Sequence, residues 1–129
     1  MTALGLFIVI LVVGFICLIA RYVARADPGG SEEARLKGMQ LLLDNLTAKQ
    51  KQQYDRFGYF EVVGSKTGKR YRICHGTSRN VYELDKQNQL AAGRCFAPSG
   101  TLVEGDCMVA QKIMLENSEE EALRMALRF

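Results

Sequence analysis

Lys66, Lys69, Arg70, Arg72 and Arg79 crowd one short stretch of the chain, and residues of these types at this spacing could hold an anion. A guanidinium meets phosphate or carboxylate oxygens as a planar fork, and an ammonium meets them as a point charge. Arg70 and Arg72 lie two apart, so in a strand both leave the same face while Tyr71 leaves the other. Lipid phosphates, a nucleic acid or an acidic protein would each suit such a patch. Single-stranded nucleic acid also wants aromatic rings between the charges, and Tyr71 alternates away from the arginines. A solvated face, or pairing with acidic residues elsewhere in the chain, would need no partner.

A second cluster consists of Cys74, His75, Cys95 and Cys107, four residues of types that ligate zinc. None forms a C-x-x-C pair. Adjacent strand residues point to opposite faces, so Cys74 and His75 could share one ion only if the strand ends between them, which Gly76 permits. The expectation is no metal and no cofactor, with the cysteines as small buried apolar groups and the imidazole at the surface. His75 is the only histidine, so Ser78 or Cys95 could act as a nucleophile only with His75 as base. Gly64-Ser65-Lys66-Thr67-Gly68 lacks the phosphate-loop pattern and reads as a hairpin turn. The residues point away from an enzyme.

The elements that must position these side chains follow from periodicity. Ser31 is an expected N-cap ahead of a helix with Leu36, Met39, Leu42, Leu43 and Leu46 on its apolar stripe. Thr47 and Gln50 form a capping box for a second, short helix ending at Gly58. Residues 59–63 and 69–74 read as a hairpin, and residues 81–84 and 89–97 as another. The inward set of residues 81–84 is ambiguous, because Tyr82 and Leu84 favour one register and Val81 the other. Asp106 is an expected cap for a helix to Glu116 that buries Val109, Ile113 and Met108 or Met114. Ser118 is expected to open a last helix with Ala122, Leu123, Ala126 and Leu127 on its apolar side. The predicted fold is α+β, a four-stranded antiparallel sheet covered on one face by helices.

Charge is unevenly spread over a net +3. Residues 59–97 hold seven basic and three acidic residues, and residues 98–129 hold three and six. Such asymmetry bears on partners and facing surfaces.

Ahead of this domain, Ala3 to Ala20 is uncharged and apolar. At ~1.5 Å per residue it offers roughly 27 Å of helix, close to the ~30 Å core of a bilayer. The expectation is an N-terminal transmembrane helix and juxtamembrane turn over 1–26, a linker over 27–30 and a cytoplasmic α+β domain over 31–129. Arg21 and Arg25 flank the run, which predicts an inner-membrane, single-pass protein with its N-terminus outside. Ala24-Arg25-Ala26 also fits a cleavage site, but no basic residue precedes the apolar run as a signal peptide requires. Cys17 would lie within the span.

Residues 71–73, 80–82, 95–98 and 105–116 resemble a small α+β module of uncharacterised bacterial and phage proteins. The resemblance covers Leu46 to Ala126, implies a compact domain, and brings no activity or site residue with it. The functional expectation is a membrane-anchored, non-catalytic binding module, an accessory subunit of a larger membrane protein complex in contact with membrane lipid. The alternative is a tethered binder of nucleic acid or anionic lipid through the basic hairpin, and third comes a zinc or thiol redox protein.

Overall fold

The computed structural model describes residues 3–24, 30–96, 100 and 102–129; of the side chains of its first helix it describes those of Ile8 and of residues 11–20. The elements run α1 (Ala3–Ala24), α2 (Glu32–Asn45), α3 (Ala48–Phe57), β1 (Tyr59–Val63), β2 (Arg70–Cys74), β3 (Val81–Leu84), β4 (Leu90–Cys95), α4 (Glu104–Met125) and β5 (Leu127–Arg128).

Local chemistry sets most of these boundaries. The Ser31 side chain accepts from the Ala34 amide at 3.2 Å and starts α2. Thr47 and Gln50 complete the expected capping box, and Gly58, in the left-handed conformation at φ +72°, ends α3. α4 departs from expectation: its N-cap is Val103, with no side-chain cap, so Asp106 lies inside the first turn. Ser118 interrupts α4 with non-helical angles, which is where a new helix was expected to open.

The strands form one antiparallel sheet in chain order, β1 to β5. The sheet therefore has five strands, a correction to the expected four. Leu127 leaves the helix to pair with Cys95 and is 74% exposed, instead of lining a helical apolar face. In β3 a register shift between Glu83 and Leu84 lets Val81 and Leu84 both be buried, which strict alternation forbids and which resolves the ambiguity read there. Tyr82 is left on the other face, opposite Arg72.

One side of the sheet carries the core. Phe60 and Val62 from β1, Tyr71 and Ile73 from β2 and Val81 from β3 pack with Leu42, Leu46, Met108, Val109, Leu115 and Ala122 from the helical layer. Two glycines let α2 and α4 approach closely: a Cβ on Gly105 would stand 2.1 Å from the Gly38 carbonyl oxygen. The edge of β1 is closed by α3, where Gln53 accepts from the Glu61 amide at 3.0 Å and Gln50 donates to the Glu61 carbonyl at 2.9 Å.

The N-terminal expectations require correction. Among the described residues no helix is long and apolar enough to cross a membrane. α1 is helical and its described Leu11, Phe15 and Leu18 are exposed. The transmembrane anchor, the single-pass fold class and the inner-membrane location are therefore withdrawn. The flanking role given to Arg21 and Arg25 goes with them, and both side chains lie outside the described residues, as do linker residues 27–29.

Candidate functional site

The five hairpin cations do not make one patch; the fold divides them into three places. Lys66, in the β1–β2 turn, pairs with Glu120 beside the α4 break. Lys69 reaches Glu83 at 2.7 Å, and Arg94 meets the same carboxylate at 3.2 Å. Glu83 stands opposite Tyr71 and so belongs to the rim of the covered side. The Lys69 hydrogen bond, with Arg94 behind it, holds Glu83 below the usual carboxylate range against its partial burial. Arg70, Arg72 and Arg79 gather on the open side.

That open side has an order that the backbone pairing fixes. Glu61 faces Arg72, Arg72 faces Tyr82, Tyr82 faces Gly93, and Gly93 exchanges backbone hydrogen bonds of 3.2 and 3.1 Å with Phe129. One cross-strand row therefore runs carboxylate, guanidinium, phenol, glycine, phenyl. Gly93 is required there, since a Cβ would stand 2.3 Å from the Phe129 ring. That ring meets Tyr82 edge-on at 5.6 Å. The Arg72 guanidinium lies 4.1 Å above the Tyr59 ring, and Tyr59 stacks on Phe57 at 5.3 Å. Arg79 sits 5.4 Å from the Phe129 ring and Arg56 5.3 Å from that of Phe57.

Glu61 is the acidic member of the row. Its carboxylate receives Arg72 at 3.1 Å and Arg70 at 3.7 Å. Arg70 also contacts the side chain of Asn88. Asn88, at φ +63°, belongs to a turn organised by the Asp85 carboxylate, which accepts from the amides of Gln87 and Gln89. The Nε of Arg72, although buried, finds no acceptor among the described residues.

Two buried polar constellations support these surfaces. Asn80 and Gln111 exchange amide hydrogen bonds of 2.9 Å, while Asn80 also donates to the carbonyls of Cys74 and Gly76. This holds the loop that presents Arg79, itself at φ +50°. Glu119, fully buried, accepts from the amides of Lys66 and Thr67 at 2.7 Å, from the Tyr71 hydroxyl at 2.7 Å and from the Thr67 hydroxyl at 2.5 Å. Burial opposes its charge, yet the donors from Thr67, Tyr71 and Lys66 outweigh that and hold its carboxyl at about 2. Burial and the same carboxylate raise the Tyr71 phenol.

Of the cysteine and histidine candidates, Cys95 lies near enough to Cys107 to help raise its thiol. The Cys107 thiol donates to the Thr77 carbonyl at 3.4 Å, and the His75 Nδ1 lies 2.9 Å from the Tyr54 hydroxyl. All four cysteines are free thiols, and burial pushes those of Cys74 and Cys107 up, the opposite of an activated nucleophile. Among the described residues no three of His, Cys, Asp or Glu converge as they would to hold a metal ion.

Tyr59, Tyr82 and Phe129 were missed as members of the arginine face. Alternation from Phe60 and Val62 places Tyr59 beside Glu61, so its signal was present. Tyr82 was hidden by the β3 register shift, and Phe129 by the brevity of β5. No protein-family model, curated protein or solved structure matches this chain, so Arg70, Arg72, Tyr82 and their neighbours are assigned on geometry alone.

Proposed function

We propose that the domain is a non-catalytic binding module whose open sheet face takes single-stranded nucleic acid. The observation that carries this reading is the interleaving of Tyr59, Tyr82 and Phe129 with Arg72 and Arg79 on one side of the sheet. Rings presented by a sheet stack on bases of any sequence, and neighbouring guanidiniums take the phosphates. Arg56, Arg70, Arg72 and Arg79 outnumber Glu61 among the charged groups that frame these rings. Lys66 and Lys69, paired with Glu120 and Glu83, contribute little to this face.

Fluorescence anisotropy with a labelled single-stranded oligonucleotide of about ten nucleotides tests the proposal. Binding should weaken as salt rises, and Arg72→Ala should flatten the salt slope by about 0.7. Tyr82→Ala should cost ~1–3 kcal/mol of affinity and leave that slope unchanged. Absence of binding at low salt, or binding indifferent to both substitutions, would reject the reading. So would equal binding to anionic phospholipid vesicles that survives Tyr82→Ala.

A further inference from the structure

We propose that the space between Arg70 and Arg72 is a phosphate subsite, and that Glu61 occupies it in the free protein as an internal stand-in. This rests on the nucleic-acid reading of the open face and adds where the backbone is gripped and what resists it. Two guanidiniums from one strand converge on the two oxygens of one carboxylate, Arg72 on Oε1 at 3.1 Å and Arg70 on Oε2 at 3.7 Å. A phosphodiester offers the same pair of anionic oxygens to the same forks. The two forks are therefore already set for such a pair of oxygens.

Exchange is feasible because the Glu61 backbone does not depend on its side chain. Gln53 and Gln50 hold the Glu61 amide and carbonyl from α3, so the carboxylate can swing out without disturbing β1. The way in is on the Arg70 side, where 40% of the side chain is exposed against 20% for Arg72 and Glu61. Asn88 contacts Arg70 from the β3–β4 turn and keeps its guanidinium over the sheet as the partner changes. Tyr59, between Arg72 and Phe57, supports the Arg72 guanidinium from below.

The carboxylate thus competes with the incoming phosphodiester, which carries the same single charge, and a nucleic acid must displace it to reach both forks. Glu61→Gln keeps the shape and removes the competing charge. With the same labelled oligonucleotide at low salt, this variant should bind about fivefold more tightly than the wild type, the scale of one partly exposed ion pair. Adding Arg70→Ala to Glu61→Gln should abolish the gain, and thermal melting should show both variants folded. Equal or weaker binding by a folded Glu61→Gln, beside a wild type that binds, would overturn the stand-in while leaving the binding face intact. If the wild type does not bind at low salt, the binding face falls and the subsite with it.

Discussion

Two carboxylates lie on opposite sides of the same sheet and live under different terms. Glu119, on the covered side, is wholly buried and is held by two backbone amides and two hydroxyls, none of which carries charge. Glu61, on the open side, is part-exposed and is held by two guanidiniums that themselves reach solvent. The first arrangement is built into the fold, because the donors belong to a hairpin turn and a core tyrosine that are fixed around this one side chain. The second is exchangeable, because guanidiniums bind any suitable oxyanion. Burial and donor type, more than the carboxylate itself, separate a structural lock from a binding site.

The largest effect should come from breaking the lock. Glu119→Ala strands the amides of Lys66 and Thr67 and the Tyr71 hydroxyl in a buried site, and should lower stability by roughly 3 kcal/mol in urea unfolding. Acid should reproduce part of this loss. Glu119 has a folded value near 2, below the ordinary 4.5, so its contribution is complete above that ordinary value and fades as pH falls toward 2. Stability measured between those limits should drop in the wild type and drop less in Glu119→Gln. On the open side, Gly93→Ala should cost about 1 kcal/mol, since the new methyl displaces the Phe129 ring from its place beside Tyr82. Glu61→Gln should shift the melting midpoint least of all, as partly exposed ion pairs contribute under ~1 kcal/mol.

How much of this was legible depended on which residues carried the pattern. The Thr47 capping box and the alternation of Arg70 to Cys74 were readable because local chemistry alone decides them. Of the α2 stripe, Met39, Leu42, Leu43 and Leu46 do pack on the core, while Leu36 is 64% exposed and Gly38 takes a buried place that the pattern did not show. Glycine has no side chain to register in a hydropathy pattern, so the seam against Gly105 was invisible. In α4 the buried positions include Gln111, Lys112 and Glu119, while Ile113, expected inside, is 47% exposed. Polar residues bury only when partners from distant segments meet them, as Asn80 meets Gln111 and Thr67 meets Glu119. The arginine face was legible in type, but its rings came from β1, β3 and the residue after β5 and needed the pairing register to assemble.

The glutamines that α3 lays along β1 have a consequence for how copies of this chain behave together. An unpaired strand margin is a template on which a neighbouring molecule can extend the ladder. At Glu61 both main-chain groups on that margin are already taken by side chains of the same molecule. Growth of intermolecular β-ribbons from this flank is therefore blocked at its midpoint, and crowding such molecules together will not zip them along β1.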